Sequence, residues 1–275
     1  MPELPEVETV RRTLEHKILG HKIQKTNVLY PRLLQNVDET ELADALKGRY
    51  FTKLARKGKY LITHLDSDAK LVIHLRMTGQ LTATQGLETP LEKHTSLQIH
   101  FEDDLELRLV DQRKFATLHL VYNSEFVGIK GLAQMGVEPL DESFTPQYLK
   151  EQLEGRRAAV KSVLLDQRRI GGLGNIYADE SLFRSGIFPG KPAGSLTINE
   201  IQKLHTAIEN VISEAIRHRG TSFRDYVDGD GQQGSFQARL QVYGKEGDVC
   251  QVCGQIIARM KIAGRSSYYC ADCQG

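Results

Sequence analysis

The chain has 275 residues, 40% of them hydrophobic, and a formal net charge of +1 at pH 7. This length allows one large domain or two ordinary ones, and the balanced charge excludes a uniformly basic nucleic-acid binder, so any DNA surface must be a local patch. No apolar run approaches a membrane span of roughly 20 residues and no apolar signal region opens the chain, so we expect a cytoplasmic protein without a membrane segment.

The first residues, Met-Pro-Glu-Leu-Pro-Glu-Val-Glu-Thr, supply a candidate nucleophile. The small side chain of Pro2 allows removal of Met1, which would leave Pro2 as a free secondary amine. An α-amino group has a pKa about 2.5 units below that of lysine, so far more of it is neutral at pH 7 and able to attack an electrophilic carbon. Glu3 and Glu6 place carboxylates beside this amine for proton transfer.

A helix is predicted to follow, with Pro5 in its first turn, where a missing N–H costs nothing. Its apolar side chains recur at helical spacing, at Val7, Val10, Leu14 and Ile18. One buried face would fix the position of the amine, and the positive end of the helix would attract an anion. The pattern alone is also that of an ordinary surface helix with acidic residues in its first turn.

Short strands dominate the rest of the first half. Apolar or alternating runs predict them at residues 22–30, 50–55, 61–65, 71–79, 96–101, 105–110 and 116–122, with a short helix at 40–46. Many short antiparallel strands imply a β-sandwich packed with the first helix.

The connections between these strands hold further candidate site residues. Lys59 lies in a basic turn, which by itself predicts only a solvated hairpin. Met77 follows a strand just before a glycine, and a later loop places Arg113 beside Phe115. Apolar residues at such positions usually belong to the core, but an enzyme that extrudes a base from DNA also needs apolar wedges and an arginine to fill the gap.

The second half is predicted to be helical, after a linker rich in glycine and proline at 130–146. Helices are predicted at residues 148–153, 160–165 and 198–216, and another begins at Asn175. The glycine run 171–174 lacks a dinucleotide-binding pattern and predicts a tight turn, whose following helix presents N–H groups to a phosphate. Residues 220–236 are polar and glycine-rich, which fits either a plain loop or a mobile lid over a flipped base.

The four cysteines form the clearest motif, two Cys-x-x-Cys pairs near the C-terminus. They are Cys250, Cys253, Cys270 and Cys273. Four thiolates at this spacing predict a closed tetrahedral zinc site, structural rather than catalytic because no coordination position stays open. Residues 256–269 between the pairs predict a hairpin with Arg265 near its tip, and a cation on a rigid tip suits a phosphate. On its own, such a zinc ribbon is equally typical of a protein-binding module.

Taken together, these motifs resemble bacterial formamidopyrimidine-DNA glycosylase over nearly all of the chain. In that family the N-terminal proline attacks the sugar of a damaged nucleotide, so the resemblance assigns this role to Pro2 and proton transfer to Glu3, with Glu6 in support. It gives Lys59 and Arg265 roles as proton donors or phosphate clamps. It also implies DNA contacts at His74, Met77, His94, Arg113, Phe115, Arg156, Lys161 and Asn175.

The implied fold is an α+β multidomain protein. We expect an N-terminal antiparallel β-sandwich with its N-terminal helix at 1–133, and a helical DNA-binding domain with a helix-two-turns-helix motif and lesion loop at 134–238. A zinc finger built on a β-hairpin would occupy 239–275. The implied cofactor is one structural zinc ion, with no organic cofactor.

The implied function is a bifunctional DNA glycosylase and abasic-site lyase of base excision repair. It would remove oxidised purines, such as 8-oxoguanine and formamidopyrimidines, through a Schiff base on the N-terminal proline followed by β,δ-elimination. The expected partner is double-stranded DNA with oxidised bases or abasic sites. We expect a monomer in the bacterial cytoplasm, associated with the nucleoid.

Two other functions fit part of the pattern. An endonuclease eight-type glycosylase for oxidised pyrimidines shares the nucleophile, the helical motif and a zinc finger, but Leu4 and the set of Met77, Arg113 and Phe115 favour the purine enzyme. A non-catalytic zinc-ribbon DNA-binding protein would not need Pro2 followed by Glu3.

Overall fold

The computed structural model describes residues 2–86, 90–122, 126, 128–223 and 225–275. The chain divides into two compact units. The first unit is Met1–Ala133 with His218–Gln237, and the second is Gln134–Arg217 with Ala238–Gly275. Residues 220–236, which the sequence-based division assigns to the helical domain, thus pack with the first unit. The predicted boundaries 1–133, 134–238 and 239–275 stay a prediction.

The first unit contains eight strands and three helices within its described residues. The strands are β1 (Ile23–Val28), β2 (Phe51–Lys57), β3 (Tyr60–Leu65), β4 (Ala69–His74), β5 (Gly79–Gln85), β6 (Thr95–Phe101), β7 (Leu105–Asp111) and β8 (Thr117–Tyr122). The helices are α1 (Leu4–Ile18), α2 (Glu39–Leu46) and α3 (Lys130–Ala133), with a 3-10 turn at Pro31–Leu33. They form two four-stranded antiparallel sheets, ordered β1-β6-β7-β5 and β2-β3-β4-β8.

One apolar cluster joins α1 to both sheets. The four predicted core residues of α1 are Val7, Val10, Leu14 and Ile18, and all are fully buried. This arrangement confirms the antiparallel β-sandwich packed with the first helix. Strand β5 was not among the predicted elements, because between its flanking glycine and glutamine only Leu81 and Ala83 are apolar. It is held by full-length pairing with β7, from Gly79 opposite Asp111 to Gln85 opposite Leu105.

The second unit is mainly helical and ends in a β-hairpin. Its elements are α4 (Pro146–Leu153), α5 (Val160–Leu164), α6 (Asn175–Arg184), α7 (Ile198–Arg217), β9 (Ala258–Ile262) and β10 (Arg265–Tyr269). Short 3-10 turns lie at Ala193–Ser195 and, where the chain passes from the first unit to the second, at Phe236–Arg239. The buried side of α7 includes all six predicted residues, Ile201, Leu204, Ile208, Val211, Ile212 and Ala215, together with His205 and Ala207.

A glycine turn joins α5 to α6. Gly172 has a φ of +80°, and a Cβ at Gly171 would lie 2.9 Å from the Gly136 carbonyl oxygen, so larger residues would be strained at both positions. The hairpin end packs on α6, because Phe183 joins Val242 and Ile257 in one buried cluster with two of the cysteines. The helical domain and the hairpin zinc finger are therefore confirmed. None of the helices in the described ranges combines the length and apolar character of a membrane span.

Candidate functional site

The candidate nucleophile lies at the buried start of α1. Pro2 is buried, and Glu3, the N-cap residue, is only 2% exposed. The carboxylate of Glu6 accepts a hydrogen bond from the Glu3 N–H at 2.8 Å, which closes the first turn as in a capping box. The helix start therefore brings the two predicted carboxylates together beside Pro2. Met1 lies outside the described residues.

The segment 218–237 is hydrogen-bonded to the N-terminal turn of α1. Glu6 accepts a second hydrogen bond, from the Thr221 N–H at 2.8 Å, and the Tyr226 hydroxyl donates to the Glu6 carbonyl at 3.3 Å. Gly220 has a φ of +77°, and a Cβ there would approach the Glu6 carboxylate to 2.7 Å. The segment of the predicted lid thus shares one buried carboxylate with the N-cap of α1.

The later part of this segment makes a hydrogen bond and an ion pair further along α1. The Gly229 N–H donates to the Thr13 hydroxyl at 2.9 Å, and the Lys17 ammonium lies 2.7 Å from the Asp230 carboxylate. Between the two attachments Phe223 is exposed. The lid role of the segment stays a prediction.

Lys59 lies in the turn of the β2–β3 hairpin and is buried. The next residue, Tyr60, is paired with His74 on β4, and their rings meet edge-on with centroids 4.5 Å apart. The His74 Nδ1 accepts a hydrogen bond from the Arg76 N–H at 2.9 Å, so the ring proton is on Nε2. Burial, with the charges of Arg76 and Lys59, lowers the pKa of His74 to about 3. His74 is therefore a neutral donor at physiological pH.

The three predicted wedge residues form one exposed cluster. Met77 is 42% exposed and Phe115 is 52% exposed, so neither belongs to the core. The Arg113 Nη1 lies 3.0 Å from the Met77 sulfur, and its guanidinium carbon lies 4.9 Å from the Phe115 ring centroid. Two loops that are separate in sequence thus present apolar and cationic groups at one place on the surface.

Two further predicted DNA contacts, one in each unit, are less exposed. His94 is half-buried with a φ of +72°, and its carbonyl accepts from the Asp111 N–H at 3.1 Å. In the second unit, Arg156 is half-buried and its Nε donates to the Gln152 carbonyl at 2.7 Å. The DNA contacts of both residues stay predictions.

The second unit gathers its predicted phosphate residues around one carbonyl. The Lys161 ammonium donates to the Ser266 carbonyl at 2.7 Å, and the Asn175 amide donates to it at 3.0 Å. Arg265 directly precedes Ser266 and is exposed at the hairpin turn. An amide nitrogen carries two hydrogens, so Asn175 can hold Ser266 and still donate to a phosphate.

Lys161 is completely buried, with 0% exposure. Its ammonium lies 2.7 Å from the Asp179 carboxylate, which also accepts from the Tyr268 N–H at 3.1 Å. Burial raises the pKa of Asp179 to about 7, against the opposing effect of Lys161. A direct phosphate contact by Lys161 would require its ammonium to leave this pair. In the structure it positions the hairpin that carries Arg265.

The four cysteines fit a single zinc ion. Their sulfur atoms lie within 4.8 Å of one another, with 3.3 Å between Cys253 and Cys270 and 3.9 Å between Cys250 and Cys273. Tetrahedral ligands at Zn–S distances of about 2.3 Å would be about 3.8 Å apart. Four thiolates leave no open position, so the zinc is structural, and it would hold the two ends of the hairpin together.

Three buried acids that position these groups were not found from the sequence. Asp179 holds Lys161 and β10, and Glu180 accepts from the N–H groups of Gln241, Val242 and Tyr243 at 2.8–3.1 Å. Asp111 ends β7 beside the wedge. Adjacent acids within an otherwise apolar helical pattern were an available signal for the first two.

Family comparisons agree with this geometry along the chain. The model for the formamidopyrimidine-DNA glycosylase N-terminal domain matches residues 1–118, the H2TH domain of the same enzyme matches 135–227, and a zinc finger found in FPG and IleRS matches 247–275. The chain belongs to the formamidopyrimidine-DNA glycosylase family. The predicted resemblance is confirmed.

Relatives in this family match over their whole length. The formamidopyrimidine-DNA glycosylase of Desulforamulus reducens is 48% identical, over 100% of this chain and 99% of that protein, and the Bacillus cereus enzyme is 44% identical over the same shares. Among solved structures, the Lactococcus lactis Fpg bound to DNA with an abasic site has a TM-score of 0.92 at 38% identity, with 99% of each chain covered. The chain is thus an enzyme, a DNA glycosylase and abasic-site lyase that acts on damaged DNA.

Proposed function

We propose that this formamidopyrimidine-DNA glycosylase excises oxidised purines by covalent catalysis at Pro2. The observation that carries the proposal is the buried start of α1, where Pro2 is followed by the N-cap Glu3, whose N–H donates to the Glu6 carboxylate. After removal of Met1, the proline nitrogen would attack C1′ of the damaged nucleotide as the bond to the base breaks. Loss of the sugar ring oxygen from C1′ would then give an iminium.

The same iminium explains the strand cleavage that we propose. It acidifies the hydrogen at C2′, so a base can remove that proton while the 3′ phosphate leaves, and a second elimination releases the 5′ phosphate. Glu3 is our candidate for proton transfer at the sugar. Lys59, buried in the neighbouring hairpin turn, is the candidate proton donor or phosphate clamp.

The remaining side chains are assigned to DNA. Arg265 and Asn175, at the hairpin turn and the start of α6, would bind phosphates in the flanking backbone. Met77, Arg113 and Phe115 would fill the space vacated by the extruded base. His74 and His94 are assigned to the DNA surface of the first unit, and Arg156 to that of the second. We propose that the enzyme works as a monomer in the bacterial cytoplasm, on nucleoid DNA.

The lesion class needs a direct test, because relatives bind more than one. The Lactococcus lactis protein has been solved with DNA containing N7-benzyl-Fapy-dG and with DNA containing an oxidised pyrimidine. The second complex favours oxidised pyrimidines as a further substrate class for this chain. We still rank purines first because Leu4 and the wedge set match the purine enzyme.

The experiment compares excision of 8-oxoguanine, a formamidopyrimidine and an oxidised pyrimidine, each in the same duplex. We expect both purine lesions to be excised faster than the pyrimidine, and a form that retains Met1 to excise none of them. Faster excision of the pyrimidine would make the endonuclease eight-type assignment correct. Full activity with Met1 retained would exclude the proline mechanism.

A further inference from the structure

Asp111 joins the two loops that carry the wedge cluster of Met77, Arg113 and Phe115. Its carboxylate is completely buried, with 0% exposure, and accepts a hydrogen bond from the Thr78 hydroxyl at 2.5 Å. It also accepts from the N–H groups of Arg113 at 3.2 Å, Phe115 at 2.7 Å and Ala116 at 2.7 Å. A carboxylate has about four acceptor sites, so these four donors saturate it.

Thr78 supplies the link between the loops. It follows Met77 directly, and its hydroxyl donates to Asp111 while accepting from the Arg113 N–H at 3.1 Å. The hydroxyl is thus the only side-chain group of the first loop, among the described residues, that bonds to this carboxylate. Removing it would delete the hydrogen bonds that join the Met77 loop to Asp111 and to the Arg113 N–H, and would leave the other three donors to the carboxylate in place.

Each loop also has its own backbone brace. In the first, Arg76 has a φ of +56° and the Gly79 N–H donates to the Leu75 carbonyl at 3.0 Å, in a turn so tight that a Cβ at Gly79 would lie 2.4 Å from that oxygen. In the second, Lys114 has a φ of +56° and its ammonium lies 4.6 Å from the Tyr30 ring centroid. Both loops are therefore braced by contacts within the protein itself.

We propose that Asp111 and Thr78 are positioning residues that hold Met77, Arg113 and Phe115 as one preordered wedge. The inference rests on the wedge role in the proposed function and adds how the wedge acts. A preordered wedge loses little conformational entropy when it enters the DNA, so it favours extrusion of the base. Neither residue takes part in bond breaking, and a substrate that needs less unstacking should depend on them less.

The test uses one conservative pair of variants and one control. Thr78→Val removes the hydroxyl at constant shape, and Thr78→Ser keeps it. Thr84→Val changes another threonine of the β5 region, whose hydroxyl has no hydrogen-bond partner among the described residues. Single-turnover excision is measured on a lesion duplex, and cleavage is measured on a preformed abasic site. Each substitution is made both in the wild-type protein and in a Met77→Ala background. Thermal melting is recorded for every variant.

We expect Thr78→Val to slow lesion excision by about fivefold to tenfold, the equivalent of one hydrogen bond, and abasic cleavage by less. Thr78→Ser and Thr84→Val should match the wild type. In the Met77→Ala background, Thr78→Val should add little, because its effect acts through Met77. Asp111→Asn replaces an acceptor oxygen with a donor, so it should slow excision of the lesion more than Thr78→Val does. If Asp111→Asn fails to fold, Thr78→Val still tests the inference.

Three results would overturn the inference. Equal loss from Thr78→Val on both substrates, or in both backgrounds, would show a general structural role and leave the wedge assignment standing. Wild-type excision by Thr78→Val would show that the link is not needed. Wild-type lesion excision by Met77→Ala alone would remove the wedge role itself, and with it this inference.

Discussion

The two units hold their functional side chains by different means. In the first, buried carboxylates accept hydrogen bonds from the N–H groups of separate segments. Glu6, for example, accepts from Glu3 and from Thr221, which is 215 residues further along the chain. In the second, Lys161 and Asn175 both donate to the carbonyl of Ser266, and a bound zinc ion would close the hairpin that carries it. Glu180 also accepts backbone N–H groups there, but it holds residues 241–243 and no candidate site residue. Substitutions at the start of α1 should therefore change rates at constant affinity, and loss of the zinc hairpin should change affinity.

The largest effect is expected at Glu3. Glu3→Gln keeps the shape of the side chain but removes its base, and proton transfer typically contributes about 100-fold to 10,000-fold to a rate. Single-turnover excision should fall by that order, with the Kd for lesion DNA unchanged. Glu39→Gln, at an exposed position starting α2, is the matched control and should behave as wild type. A weakened Kd with a normal rate would erase the contrast between the units.

Removal of a zinc ligand should produce the opposite pattern. Cys250→Ser should lose zinc and release the hairpin, because metal binding is coupled to folding of such sites. Hydrogen bonds from charged groups contribute about 1.5–3 kcal/mol each, so losing the Arg265 contact alone weakens DNA binding by about tenfold to a hundredfold. The first unit should keep its protection in hydrogen exchange.

Val252→Ser supplies the control for this experiment. It introduces the same residue at an exposed position of the same Cys-x-x-Cys loop without touching a ligand. It should retain one zinc per chain and normal affinity. Full DNA affinity in zinc-free Cys250→Ser protein would contradict the account of the second unit.

Arg265→Ala sharpens the comparison to a single contact. It should weaken binding to damaged and undamaged duplex by the same factor, about tenfold, because phosphate contacts carry no lesion information. The slope of log K against log salt should become shallower by about one unit. Arg259→Ala, on the neighbouring strand and paired with Glu246 at 3.0 Å, should leave the slope unchanged. If Arg265→Ala and the wild type had the same salt dependence of binding, a phosphate contact by Arg265 would be excluded.

The last prediction concerns the pH dependence of stability in the first unit. His74 has a pKa lowered to about 3, from an ordinary value of 6.5, by burial and nearby cations. Between these values the unfolded chain binds a proton that the folded protein does not, so the free energy of unfolding falls as pH falls. From pH 7 to pH 5 this amounts to about 2 kcal/mol.

Chemical denaturation of the wild type and of His74→Gln at several pH values measures the contribution of His74 to the free energy of unfolding. The difference between the two proteins should change by that amount from pH 7 to pH 5 and stay constant above pH 7. Asp179, in the second unit, acts in the opposite direction, since its raised pKa favours the folded state at lower pH, and it cancels because both proteins contain it. A constant difference across the range would show that folding does not lower the pKa of His74.

The periodicity of apolar residues and the spacing of the cysteines were enough to predict much of the fold from the sequence. The buried face of α1 follows from Val7 to Ile18, the length of α7 from its apolar stripe, and the zinc site from the cysteine spacing. Strand β5 carries too few apolar residues to give such a signal. It exists because β7 offers it a complete set of pairing partners.

The parts of the site that the sequence did not reveal depend on long-range polar contacts. Nothing in the order of residues connects Glu6 to Thr221, and nothing distinguishes a solvated lysine on a short helix from Lys161, which is buried against Asp179. Asp111 has the same character, since a strand-ending aspartate is common and its four donors become adjacent only in the folded protein.

The central claim is that Pro2 is the nucleophile, and borohydride trapping tests it most directly. The enzyme is incubated with a lesion-containing duplex and borohydride, which reduces an iminium to a stable amine, and the cross-linked peptide is identified by mass spectrometry. The account predicts one adduct, on the nitrogen of Pro2, in protein that has lost Met1, and no adduct when Met1 is retained. An adduct on an internal lysine such as Lys59, with Pro2 unmodified, would contradict it.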